Sequence, residues 1–337
     1  MTTQPGFFDL NRRYVKLDER DALQHLDALI DWEIFRDTLE LVRVKPRKNN
    51  AGRKSFDVLM MFKALILQHL HNLGDDELEY QIRDRYSFCR FLGLLPEDRV
   101  PDAKTVWLFR EELTQQKLLT SLFTDFDLHL KACGYQARKG QIVDATIVPA
   151  PIQRNSREEN QQIKKGETPE RFEHESVGPQ KDTDARWTEK NGQSSFGYKN
   201  HVCVDVAHKL IRDFEVTSAE VHDSRVFEVL LQDDNTSRDV YADSAYRSEE
   251  IELALDVMEY RSHVHTKGKR DCPLTEQQRK ANTRKAKIRC RVEHVFGSQE
   301  NEQGGIFVRV IGLARAATKI TLMNLTYNMR RFVYLCG

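Results

Sequence analysis

Hydrophobic residues recur every three or four positions through the first part of the chain, which is the period of amphipathic helices. The pattern is densest between Ser55 and Leu95, where Gly74 interrupts it and Asp75 opens the next helix. It continues to Ala132. Short helices joined by tight turns are typical of helix-turn-helix units, although ordinary helical cores contain them too. We predict an all-helical N-terminal domain over residues 1–135, serving DNA binding and dimerisation.

From Gly140 onward the period of the pattern changes to two, which indicates strands. The predicted strands are Gln141–Pro149, Lys199–Val206, Leu210–Val216, Val240–Ala242 and Ser262–His265. The predicted helices begin at Asp223 or cover Ser248–Met258, Arg284–Phe296 and Ala314–Tyr334. This order fits the α/β (α+β) class, with a ribonuclease-H-like mixed five-stranded sheet and flanking helices over residues 136–337. Residues 153–192 are mostly polar, so we expect a long loop or a partly disordered insertion there.

Three acidic residues lie in segments whose neighbours are apolar or helical. Asp144 stands in QIVDATIV, Asp243 in VYADSAY and Glu293 in RCRVEHVFG. A buried carboxylate is costly unless a partner compensates its charge, and one divalent metal centre would serve all three. In the predicted sheet the first strand lies beside the fourth, which would make Asp144 and Asp243 neighbours. Taken singly, each acid fits a turn cap or a surface ion pair better, whereas the set of three favours a metal site.

Three carboxylates suit two Mg²⁺ ions held about 3.5–4 Å apart, with Mn²⁺ as the alternative ion. In that arrangement Asp144 would bridge both ions, while Asp243 and Glu293 would each hold one. Such a site activates water for strand cleavage, or a DNA 3′-hydroxyl for strand transfer. The pattern therefore predicts a metal-dependent enzyme that cuts phosphodiester bonds.

The formal net charge of the chain is zero, which argues against a surface uniformly coated for nucleic acid. Two stretches are nevertheless strongly basic, Arg43–Lys54 and Arg261–Arg291. Phosphate contacts act within about one Debye length (~10 Å), so these stretches either bind DNA locally or are solvated surface. The predicted DNA-binding residues in them are Arg47, Lys48, Arg53, Lys54, Lys267, Lys269, Arg270, Arg284, Lys285, Lys287, Arg289 and Arg291.

Two further cations, Lys199 and His201, alternate with valines on a predicted strand and therefore point away from them. They face either DNA or solvent, and we include both among the predicted DNA contacts. Arg289 precedes Glu293 by one helical turn, so a phosphate contact competes with a simple ion pair along that helix face.

The six cysteines include no Cys-x-x-Cys pair, which predicts free thiols in a reducing compartment. The N-terminus has no apolar signal region, and no segment approaches the roughly 18 apolar residues of a membrane span. We expect a cytoplasmic, nucleoid-associated protein.

Several ordered motifs resemble those of bacterial insertion-sequence transposases of the DDE type, specifically insertion sequence family five. They are VDATIVPAP (Val143–Pro151), FGYKNHVCVD (Phe196–Asp205), ADSAYRS (Ala242–Ser248), RVEHVFG (Arg291–Gly297) and NLTYNMRR (Asn324–Arg331). The resemblance covers most of the chain. It implies an enzyme that binds terminal inverted repeats, cuts at the element ends with a divalent metal and transfers the 3′-hydroxyl ends to target DNA. It also implies a homodimer on DNA.

The chain departs from the family pattern around the glutamate. Related elements place a Tyr, an Arg and a Lys on the helix that carries this Glu, and here Ala286, Arg289 and Glu300 hold those places. An acid at the Lys position would repel DNA rather than hold it. Two alternatives therefore stay open: a metal-dependent nuclease or junction resolvase on the same fold, and a non-catalytic DNA-binding regulator derived from a transposase.

Overall fold

The computed structural model describes residues 21–43, 55–95, 97–190, 192–268, 273–301, 303 and 305–337. The chain divides into two compact units, one formed by Met1–Phe126 with Met329–Gly337 and the other by Asp127–Asn328. Among the helices within these ranges, none is both long enough and apolar enough to span a lipid bilayer.

The first unit is built of short helices, as its hydrophobic pattern predicts. They are α1 (Ala22–Leu29), α2 (Arg36–Glu40), α3 (Val58–Leu70), α4 (Asp75–Asp84), α5 (Tyr86–Leu92), α6 (Ala103–Gln115) and most of α7 (Leu118–Ala132). Local caps set their ends: the Asp57 carboxylate accepts two backbone N–H groups at the start of α3, and Gly93 ends α5 at φ +70°. Phe35 and Phe62 are fully buried, with ring centroids 5.0 Å apart.

The second unit contains a mixed sheet. Its strands are β1 (Gln141–Pro149), β2 (Arg186–Lys190), β3 (Gln193–Asp205), β4 (Ile211–Ser218), β5 (Asp239–Tyr241) and β6 (Arg261–Ser262). They run in the order β2–β3–β1–β5–β6, and β4 pairs with β3. Strand β1 is antiparallel to β3 and parallel to β5. The predicted ribonuclease-H-like α/β class is confirmed, with six strands among the described residues in place of five.

Helices lie between the strands and after them along the chain. They are α8 (Arg157–Lys164), α9 (Glu249–Val257), α10 (Glu276–Arg289), α11 (Arg291–Asn301) and α12 (Leu313–Cys336). Two apolar clusters hold β1 in place. Val143 packs in one with Leu255 of α9, and Val148 packs in the other with Ile320 of α12. A strand buried this way reads as a near-continuous apolar run, which explains why the predicted bounds of β1 match the observed ones.

The polar segment 153–192 is more ordered than its composition predicts. Ser156 and Glu159 form a capping box that starts α8. Its far end forms β2, in which Trp187 pairs with Phe196 of β3 at a ring-centroid distance of 5.4 Å. The expectation of a long loop or a partly disordered insertion is therefore wrong at both ends of this segment.

Two predicted helices also differ. The segment from Asp223 forms only two short 3₁₀ turns, because the Asp223 carboxylate binds the Lys199 ammonium at 2.8 Å and the His222 ring caps the first turn instead. The helix predicted over Arg284–Phe296 is two helices, α10 and α11, separated at Cys290. This break lies directly beside the candidate site.

Candidate active site

Asp144 and Asp243 are placed by the parallel pairing of β1 with β5. Gln141 pairs with Val240 and Ile142 with Tyr241. Asp144 lies two residues after Ile142, and Asp243 lies two residues after Tyr241. Asp243 lies two positions after the end of β5 and caps a 3₁₀ turn, accepting the Ala245 N–H at 2.7 Å. The pairing of β1 with β5 therefore brings together two acids that are 99 positions apart in the sequence, as predicted.

The Asp144 carboxylate lies in an environment that disfavours its charge. Burial raises the pKa of Asp144 above its ordinary value, and the negative charge of Asp243 raises it further. The Ala145 N–H at 2.8 Å, the Arg289 guanidinium and the Lys190 ammonium all act to lower it. The net shift is upward, so the local cations do not fully compensate the buried carboxylate.

Glu293 joins this pair through an arginine. It lies in the first turn of α11 with a side chain that is 64% exposed. Arg289, the last residue of α10, donates from Nη1 to Asp144 Oδ2 at 2.6 Å and from Nη2 to Glu293 Oε1 at 3.3 Å. Within the described ranges no three acidic, histidine or cysteine side chains converge closely enough to bind a metal ion. Arg289 thus connects Asp144 to Glu293, two of the three predicted metal ligands.

Three buried polar atoms beside the acids lack a partner in the part of the chain that the structure describes. They are the Tyr246 hydroxyl, Nε2 of His265 and Nε of Arg289. Burial raises the pKa of the Tyr246 hydroxyl, and the negative charges of Asp144 and Asp243 raise it further. Burial also lowers the pKa of His265, which the charge of Asp243 opposes. An undercompensated carboxylate pair with unsatisfied polar neighbours fits an oxygen-liganded divalent cation.

Comparison with known proteins identifies the family of this chain. Residues 135–329 match the family model described as "Transposase DDE domain", which covers more than half of the chain. The chain belongs to the DDE transposase family. Residues 11–112 match a second model, "Transposase domain (DUF772)". A solved structure, the synaptic complex of piggyBac transposase with hairpin DNA, is 11% identical and matches 99% of this chain and 77% of that chain at a TM-score of 0.45. That score is too low to support the assignment.

The predicted DNA-binding residues of this transposase differ in how much of their side chains is exposed to solvent. Lys267, Arg284 and Lys287 are exposed. Arg291 and Lys285 are half-buried, and they donate to the Val206 carbonyl at 2.7 Å and the Val264 carbonyl at 2.8 Å. Outside the described residues lie Arg47, Lys48, Arg53, Lys54, Lys269 and Arg270.

Lys199 and His201 do not form the DNA-facing pair that their alternation suggested. His201 is fully buried, and its Nε2 lies 2.9 Å from the Thr217 hydroxyl. The Lys199 side chain is 12% exposed, and its ammonium binds Asp223 and the Val221 carbonyl. The assignment of His201 as a DNA contact is wrong, because the face opposite the valines is covered. The Lys199 ammonium is occupied by partners within the protein.

Three residues near the acids were not among the predicted site residues: Lys190, Tyr246 and His265. Lys190 ends β2 inside the polar segment, and only the folding of β2 onto β3 shows that its charge reaches Asp144. Tyr246 stands three positions after Asp243 in the ADSAYRS motif. Its closeness to Asp243 in the sequence could have marked Tyr246 as a site residue. The spacing alone does not show that its hydroxyl is buried.

Proposed function

We propose that this transposase cuts phosphodiester bonds at the terminal inverted repeats of its element and transfers the 3′-hydroxyl ends to target DNA. Membership of the DDE family supports DNA cleavage in general. The observation that carries the specific site is the β1–β5 pairing, which sets Asp144 beside Asp243, with Glu293 linked through Arg289. These three are the proposed catalytic and metal-binding residues.

The three carboxylates would hold a divalent metal, with Mg²⁺ preferred and Mn²⁺ possible, because hard cations select carboxylate oxygens. When bound, the metal would stabilise phosphoryl oxygens and lower the pKa of the attacking water or hydroxyl. The protein itself supplies negative charge on two adjacent strands and one helix. The hydrogen bonds from the Ala145 N–H and the Arg289 guanidinium keep the Asp144 carboxylate oriented, while burial leaves its charge undercompensated.

DNA would approach over the basic helix α10. Arg284 and Lys287 are exposed on α10, which ends at the site, and Lys267 is exposed in the segment that precedes it. We propose that these side chains contact phosphates, together with the other basic residues of the same stretch. The match of residues 11–112 to a transposase domain supports a DNA-binding and dimerisation role for the N-terminal helical region.

One observation favours a second candidate function. Glu300 is exposed on α11, where related elements are expected to carry a phosphate-binding lysine. A chain with this acid could bind inverted repeats without cutting them, as a regulator derived from a transposase.

Strand cleavage of a labelled inverted-repeat end, with and without Mg²⁺, tests the proposal. Asp144→Asn, Asp243→Asn and Glu293→Gln keep the side-chain shape and remove the charge. Each should lower the cleavage rate by roughly two orders of magnitude or more while DNA binding persists. Asp256→Asn, at an exposed acid on α9, is the matched control and should cut like the native chain.

The outcomes separate the candidates. Native cleavage that survives in all three variants would contradict the site. Binding without native cleavage would favour the regulator. Cleavage without joining to a target duplex would favour a nuclease on the same fold.

A further inference from the structure

We propose that Arg289 is a positioning residue that holds the place of the metal between Asp144 and Glu293 until a divalent cation displaces it. The inference rests on the proposed function and adds a step to it. In the metal-free protein one guanidinium would hold the two carboxylates in register, and its departure would accompany metal loading.

The geometry of the guanidinium supports this role. Nη1 binds Asp144 Oδ2 at 2.6 Å and Nη2 binds Glu293 Oε1 at 3.3 Å. An arginine that only neutralises one acid commonly places two parallel N–H groups on the same carboxylate. Here each amino group serves a different carboxylate, as a bridging cation would. The buried Nε has no acceptor in the described part of the chain.

The difference in charge favours a divalent cation over Arg289 at these carboxylates. Two carboxylates bind one guanidinium, and the charge of Asp243 lies close enough to act on Asp144. A single positive charge cannot balance this set, whereas a divalent ion supplies twice the charge to the same oxygens. Because Arg289 and the metal need the same Asp144 and Glu293 oxygens, each must weaken the binding of the other.

The backbone around Arg289 is held, so the side chain is the part that would move. Asn282, two turns earlier on α10, donates to the Thr266 carbonyl at 2.9 Å and accepts the Thr266 N–H at 3.0 Å. Lys285 donates to the Val264 carbonyl at 2.8 Å. A released guanidinium would stay at the helix end next to Glu293, where a DNA phosphate offers two oxygens for a bidentate contact. DNA and metal would then favour each other's binding.

The test is a titration of the DNA-free full chain with Mn²⁺, in which the paramagnetic resonance signal reports free ion. Arg289→Gln should bind Mn²⁺ about tenfold more tightly than the native chain, because a charge-assisted hydrogen bond no longer competes. Arg289→Lys keeps the charge but has one ammonium for two carboxylates, so we expect an intermediate gain. Arg279→Gln removes one exposed charge from the same helix and should change the affinity less than twofold.

Unchanged or weaker Mn²⁺ binding in both Arg289 variants would overturn the inference, as would an equal gain in Arg279→Gln. Asp144→Asn distinguishes this failure from a failure of the proposed function. If Asp144→Asn abolishes Mn²⁺ binding while the Arg289 variants bind like the native chain, only the role of Arg289 fails. If Asp144→Asn binds like the native chain, the metal site itself is wrong, and the inference falls with it.

Discussion

Single residues around β1 show how burial sets the charge state of this region. His201 pairs with Ala145 across β1 and β3 and is completely buried. Burial lowers its pKa to about 4, although the nearby Asp223 opposes the shift. The imidazole is therefore neutral at pH 7, and it stabilises the hairpin by its hydrogen bond to Thr217 rather than by charge.

This pKa predicts a loss of stability in mild acid. The unfolded chain binds a proton at the imidazole near pH 6.5, whereas the folded chain does so only near 4. Between these values the unfolded state holds the extra proton, so the free energy of unfolding decreases as the pH falls through the window. Urea unfolding at pH 7 and pH 5 should show His201→Gln losing about 2 kcal/mol less than the native chain.

An exposed histidine provides the control for this measurement. His174→Gln should lose as much stability as the native chain between the same two pH values. An equal loss in native protein and His201→Gln would show that His201 does not carry this acid sensitivity.

Among the elements, α10 is the one whose placement matters most for function. Thr275 and Gln278 form a capping box at its start, and none of its side chains is buried. A helix without an apolar face is held by other means, here the two hydrogen bonds between Asn282 and Thr266 and that from Lys285 to the Val264 carbonyl. The exposed side chains of Arg284 and Lys287 on this helix are available to face a ligand.

The exposed cations of α10 predict a change in the salt dependence of DNA binding. Each phosphate contact adds about 0.9 to the slope of log K against log salt concentration. Arg284→Gln together with Lys287→Gln should reduce that slope by about two for an inverted-repeat duplex, measured by fluorescence anisotropy. Arg238→Gln, at an exposed arginine outside α10, should leave it unchanged. An unaltered slope in the double variant would remove α10 from the DNA interface.

At the scale of the whole molecule, the chain divides into two compact units and carries one set of candidate catalytic acids. The acids all belong to the unit formed by Asp127–Asn328. An element has two ends, and each end needs its own cut. One chain with one site would therefore serve one end at a time, which is why we propose a homodimer on DNA.

Light scattering of the protein bound to inverted-repeat duplexes tests this prediction. We expect a mass that corresponds to two chains and two DNA ends. Mixing native protein with Asp144→Asn should then lower paired-end joining more steeply than the native fraction decreases. Joining that stays proportional to the native fraction, with a mass of one chain per end, would contradict a dimer.

The amino-acid sequence by itself determined the features that depend on near neighbours. The start of α4 at Asp75 follows from the break at Gly74, and the bounds of β1 follow from a mainly apolar, β-branched run. The candidate acids could be selected for a similar reason, since Asp144 stands out inside that run. The parallel neighbour of β1 followed from the order of elements, because few topologies satisfy it.

The remaining features were decided only by the tertiary structure. Alternation placed His201 on the face opposite the valines, but it could not tell whether that face is covered. The polar composition around β2 did not indicate a strand. The segment forms one because pairing with β3 supplies backbone hydrogen bonds that the segment cannot make by itself. The bridge from Arg289 to Asp144 likewise joins distant parts of the chain. Helix caps and side-chain period are local properties, whereas burial and ion pairing depend on which distant residues the fold brings close.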